Sequence, residues 1–162
     1  MKNYEKRLML MLALMLVFVV SCSSSSNSTG PEILDVAGVW GFIGQLTQDT
    51  CGVGAGYNSL IASITFSQSG NSVSTGRVDF ALGNFQPYFT YAGTLTGNNV
   101  SMAAVDPYVW QSGGTVIHIG SGIDVQNIEN DAGTGSLNFT GACIQGCTGS
   151  CQTIWSGTWA KQ

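Results

Sequence analysis

The chain has 162 residues, 44% of them apolar and only 9% charged. Beyond residue 7 its cations are Arg77 and Lys161 alone, set against eight acids from Glu32 to Asp131 for a net charge of −6 over that stretch. Nucleic-acid binding needs clustered Lys and Arg to displace counterions from phosphates, so nucleic acids and other phosphate-bearing partners are excluded as targets.

Lys2, Lys6 and Arg7 precede thirteen uncharged apolar residues, 8–20. A basic start followed by a short apolar run is a signal-peptide profile. The run is shorter than the roughly 20 residues that span a bilayer core, which disfavours a permanent transmembrane helix. It ends in Val19-Val20-Ser21-Cys22, which resembles the lipobox of bacterial lipoproteins. The resemblance implies that residues 1–21 are removed and that Cys22 becomes the diacylglycerol-carrying first residue, an anchor of palmitate-type acyl chains in the cell envelope. An ordinary secreted protein with an incidental cysteine is the alternative. Ser23 stands where the resemblance would place Asp for inner-membrane retention, so the outer membrane is expected. Ser, Asn, Thr, Gly and Pro fill residues 23–31, a flexible tether with no apolar side chain to offset ordering. The expected division is therefore signal 1–21, lipidated cysteine and tether 22–34, and one domain at 35–162.

Within the domain, period-two alternation predicts strands throughout. Leu60, Ala62, Ile64 and Phe66 interleave with Ser63, Thr65 and Ser67. The same alternation runs through Val78/Phe80/Leu82, Phe89/Tyr91/Leu95, Val100/Met102/Ala104, Ile117/Ile119/Ile123/Val125 and Leu137/Phe139. With segments 36–47 and 152–160 the count is eight strands and no helix, an all-β fold. Tight turns are expected at Gly70-Asn71, Gly97-Asn98 and Asn130-Asp131, where positive φ costs little. Longer links, 50–58, 83–88, 106–114 and 144–150, alternate with them. In an antiparallel up-and-down meander the short turns gather at one end and the long links at the other. Closing the sheet as an eight-stranded barrel would bury both edges.

Besides Cys22 the chain has Cys51, Cys143, Cys147 and Cys151. Four cysteines in an exported domain suggest two disulfides with three possible connectivities. Barrel closure places the Cys51 link beside the Cys143–Cys151 link. The simplest pairing joins Cys143 to Cys151 across the last hairpin and leaves Cys147 for Cys51. A thiolate metal site is disfavoured, because no CxxC pair or neighbouring His accompanies the cysteines.

Gly38-Val39-Trp40 resembles the Gly-x-Trp that opens the first strand of lipocalins and avidin-like barrels, the calycin type. The resemblance implies an eight-stranded barrel whose Trp40 packs at the closed end under a basic residue from the last strand, the part of Lys161. No Thr-Asp-Tyr lipocalin motif or biotin-binding set is present, so the resemblance implies no particular ligand.

Candidate chemistry is sparse. His118, the only histidine, alternates out of phase with Ile117 and Ile119 and is expected to face outward, with no nucleophile-elbow motif to partner it. Asp124, Glu129 and Asp131 flank a turn but lack the spacing of a calcium loop. No enzyme activity, cofactor or metal is expected. The aromatics Tyr57, Phe85, Tyr88, Tyr108 and Trp110 fall on the long links and form the candidate ligand site, since barrel mouths offer apolar area together with hydrogen-bonding groups. Phe42, Phe66, Phe80, Phe89, Tyr91, Phe139 and Trp155 point inward, which favours a small cavity or none. The expected function is an envelope-anchored, non-enzymatic binding module for a small apolar or amphipathic ligand. The alternative is a filled barrel serving as a structural or protein-interaction lipoprotein.

Overall fold

The alternation becomes eleven antiparallel strands in a computed structural model that describes residues 33–162 apart from Val53 and Ala55. The expected signal segment, Cys22 and the expected tether as far as residue 32 lie outside the described residues. In chain order the strands are β1 (Gly38–Asp49), β2 (Ser59–Ser69), β3 (Ser72–Thr75), β4 (Val78–Asp79), β5 (Tyr88–Phe89), β6 (Tyr91–Thr96), β7 (Asn99–Ala104), β8 (Tyr108–Ser112), β9 (Thr115–Glu129), β10 (Ala132–Gln145) and β11 (Ser150–Lys161). No helix occurs among the described residues.

The large sheet rings round on itself. Its pairings run β1–β2–β3–β6–β7–β9–β10–β11 and return to β1, where Trp40 opposes Lys161 and Asp49 opposes Thr153. First and last strands therefore satisfy each other's edges.

Eleven strands form where eight were expected, and two segments account for the difference. Around Gly76 the loop-ward parts of the third and fourth expected strands leave the ring. β3 pairs with β6 only from Ser72↔Thr94 to Ser74↔Ala92, and the Tyr91 N–H then donates to Thr75 Oγ1 at 3.0 Å instead of to a ladder carbonyl. Beyond that break, β4 and β5 form their own two-stranded sheet, extended by Phe80 N to Pro87 O and closed by reciprocal Leu82–Phe85 bonds. The second segment is the expected link 106–114. It contains β8, which turns through Gly113-Gly114, both at positive φ, to pair with the first third of β9.

The short turns do gather at one end, and each is stitched to the next hairpin. Leu95 N donates to Asn71 O, Ile128 N to Asn98 O, Lys161 N to Asp131 O, and Gln162 N to Val39 O, all at 2.8–2.9 Å. Val36 plugs this end, fully buried, and accepts the Trp40 Nε1–H at 2.8 Å. Gln68 fastens the incoming chain through Val36 N and Leu34 O. Gly38 has φ of 128°, and a Cβ there would come within 2.9 Å of Lys161 Cε, so glycine lets the lysine stem cross strand β1. The Lys161 ammonium then lies 3.8 Å from Asp35 and 3.7 Å from Asp131.

All seven aromatics expected inward are buried. Below the loops they converge on Phe139, whose ring meets Phe80, Phe85, Phe89 and Trp155 with centroids 5.2–5.9 Å apart.

Candidate ligand site at the loop end

The first wall of the site is the segment after β1, held in place by several hydrogen bonds. Asp49 accepts from Thr153 Oγ1 at 2.8 Å and from Gly54 N at 3.0 Å. Tyr57 N donates to Gly54 O, and the buried Trp155 Nε1–H donates to Tyr57 O at 3.1 Å. A disulfide between Cys51 and Cys151, 100 residues apart, closes this segment onto β11. The second disulfide joins Cys143 to Cys147 within the β10–β11 connection. Two bridges at this end, one of them tying Cys51 to the last connection, match the expectation, but the individual pairing corrects it. Cys151 opens β11 opposite Gly141 and faces the Cys51 segment. Cys147 turns back to Cys143 and never reaches the wall.

Between these walls lies a cavity of about 450 Å³. Of the five expected aromatics, Tyr57, Phe85 and Trp110 line it. Leu82, Ile117 and Ile119 complete the sides and Phe139 is the floor, while the Cys51–Cys151 bridge forms part of the wall. A Cβ at Gly141 would stand 2.7 Å from Cys151 Sγ, so the bridge sits flush against β10 only because that position is glycine. Among the described residues, no Asp, Glu, Lys, Arg or His side chain lines the cavity. Its polar side-chain groups include Asn84, the Trp110 indole N–H and the Tyr57 hydroxyl, which rests against Gly83 at the hairpin tip. Such a lining favours an uncharged guest, because a charge moved there from water would find no countercharge. The volume lies within the range of about 300–1,000 Å³ usual for small-molecule sites.

Tyr88 and Tyr108 are placed elsewhere. They line a separate groove of about 400 Å³ together with Arg77, Thr90, Asp106 and Pro107. The Arg77 guanidinium lies 3.9 Å from the Tyr88 ring centroid, and its Nε and Nη2 both donate to Asp79. Tyr108 touches both sites, meeting Phe85 edge-on at 6.0 Å and Tyr88 at 5.8 Å.

Leu82, Ile117, Ile119 and Phe139 carry the inward parity in the sequence, so a signal for them existed. What parity lacks is height: it tells which face a residue takes, not how near the rim it stands. His118 lies half-buried between Val109 and Ala142 on the face away from Ile117 and Ile119. Among the described residues, no three His, Cys, Asp or Glu side chains are grouped to hold a metal ion. No protein family, curated protein or solved structure matches this chain.

Proposed function

We propose that this protein is a lipid-anchored, non-enzymatic binding module that holds a small, uncharged apolar or weakly amphipathic molecule in the cavity at the loop end. The observation that carries the reading is the cavity itself, about 450 Å³ of space walled by Tyr57, Leu82, Phe85, Trp110, Ile117 and Ile119, without one charged side chain among the described residues. Tyr57 and Asn84 would meet a single polar group of the guest. The ring of strands is read as a small barrel of the lipocalin-like type, on the strength of its closed circuit and the Gly38-Val39-Trp40 opening beside Lys161. Cys22 carries the acyl anchor, with the outer membrane as the expected site, on the strength of the lipobox-like run before it.

Titration with N-phenyl-1-naphthylamine, an uncharged apolar fluorophore, tests the reading. Saturable binding is expected, with energy transfer from Trp110. An Ile117→Trp variant, which places bulk into the wall, should weaken binding about tenfold or more, the equivalent of 1.4 kcal/mol or more, without lowering the unfolding midpoint. Solvent extraction of natively purified protein followed by mass spectrometry would identify the resident molecule.

A second reading rests on a different observation, the solid packing of Phe80, Phe89, Phe139 and Trp155 beneath the cavity. It makes the protein a filled-barrel structural or protein-interaction lipoprotein. Absence of saturable fluorophore binding, together with a clean extract, would favour it.

A further inference from the structure

The hairpin 78–89 occupies a place in the wall that its backbone does not share. Among the described residues, β4 and β5 bond to each other and to nothing else in sheet pairing. On one flank β2 pairs with β3 only from Phe66 onward, so its first half offers the hairpin no ladder. On the other flank β8 pairs only with β9. Every backbone bond within the hairpin is internal: Val78 with Phe89, Phe80 with Pro87, and Leu82 with Phe85. At its base stand two single connections. Gly76 is a bend with open space where a side chain would be, and Thr90 is held through its carbonyl by Val105 N at 2.9 Å.

Side chains alone hold the hairpin down. Phe89 sits at the base between Tyr91 and Phe139. At the tip, Leu82 and Phe85 form one side of the cavity, and the Tyr57 hydroxyl rests on Gly83. Across the open flank the hairpin is latched by Tyr88 against Tyr108, with Arg77 stacked on the outer ring.

We infer that the hairpin 78–89 is a gate to the cavity, hinged at Gly76 and Thr90, pivoting on Phe89 and latched by the Tyr88–Tyr108 contact. An element with no hydrogen bonds to either neighbour opens without breaking a ladder, which β8, β9 and β10 in the wall would have to do. Tilting the tip outward lifts Phe80 from Phe139, withdraws Leu82 and Phe85 from the cavity and widens its mouth between β5 and β8. The gating role rests on the binding reading above, but the motion does not, and the two can be tested apart.

Hydrogen exchange of the full lipoprotein in detergent, read by mass spectrometry, tests the motion. Amides of 78–89 should exchange together, about tenfold or more faster than those of β1 and β10, as a locally opening unit does. Tyr88→Ala, which cuts the latch at a residue outside the cavity lining, should quicken that exchange further. The same variant should raise both association and dissociation rates of N-phenyl-1-naphthylamine about threefold or more while leaving Kd within about twofold, since a gate changes rates and not the bound state. Protection of 78–89 equal to that of β10 would overturn the motion, and unchanged fluorophore rates in Tyr88→Ala would overturn its gating role. If no fluorophore binds, the binding reading and the gating role fall together, and exchange still decides whether the hairpin moves.

Discussion

The Tyr91 hydroxyl lies 2.7 Å from Ser121 Oγ in the interior of the ring, and Ser121 Oγ spends its own proton on the Asn138 carbonyl, also at 2.7 Å. Tyr91 is therefore the donor in the first bond. The chain of three links β6, β9 and β10 across a mostly apolar core.

The direction of these bonds sets an asymmetry. Tyr91→Phe removes a donor and leaves Ser121 satisfied, at a cost of about 0.5–1.5 kcal/mol, whereas Ser121→Ala strands a buried hydroxyl at about 1–3 kcal/mol. Denaturant unfolding should rank Ser121→Ala as the more damaging change, and the reverse order would contradict the bond direction.

The same phenol governs stability at high pH. Burial pushes the Tyr91 hydroxyl well above its ordinary value of 10.0. Above pH 10 the unfolded chain releases the proton while the folded chain keeps it, so stability present below that pH is lost as pH rises. Between about pH 10 and 11.5 the unfolding free energy should fall more steeply in the native sequence than in Tyr91→Phe, by up to about 1.4 kcal/mol per pH unit. Parallel curves would show that Tyr91 titrates freely.

The two disulfides should differ in worth. Cys51–Cys151 closes a loop of 100 residues and Cys143–Cys147 a loop of four. On chain entropy alone the first contributes about 4.7 kcal/mol and the second about 2 kcal/mol. Paired Cys→Ala variants should reproduce that order in thermal unfolding. Peptide mapping without reductant should recover Cys51 linked to Cys151, and recovery of Cys51 linked to Cys147 would overturn the assignment.

Much of the fold was legible because alternation is a local signal. Leu60, Ile64 and Phe66 announce β2 without reference to any other part of the chain. The turns at Gly70, Gly97 and Asn130-Asp131 are equally local, since their residues tolerate positive φ. Pairing is not local. Nothing in Val78, Phe80 and Leu82 says that the segment leaves the ring, because its inward faces still alternate and only the hydrogen bonds are lost. Tyr108-Val109-Trp110 reads as a link when strands are expected to end at the rim, yet Gly113-Gly114 makes it a hairpin arm. The site shows the same division. Tyr57, Phe85 and Trp110 were identifiable as aromatics on long links, but their separation from Tyr88 depends on how the hairpin tip folds inward. The cysteines marked the correct end of the molecule, and spacing alone could not select among the pairings.

Attachment at Cys22 is testable directly. Intact-mass measurement should show the acyl mass on the native chain and its loss in Cys22→Ala. Because the chain reaches β1 from the short-turn end, a label at Asn71 should lie closer to the bilayer of a reconstituted liposome than one at Ser112. The opposite order would mean that the cavity faces the lipid.

The bond from Gln162 N to Val39 O, at 2.8 Å, gives the ring a property apart from ligand or membrane. With β11 beside β1 and the chain arriving and leaving at the same end, the wall has no privileged starting point. A short linker joining residue 162 to residue 33 would disturb no pairing, and Gly113-Gly114, exposed at the far end, could be cut to supply new termini. Such a circular permutant would keep every neighbour in the wall yet emerge from the opposite pole. The pole from which the chain emerges is thus a matter of where the chain is opened, independent of the architecture that encloses the cavity.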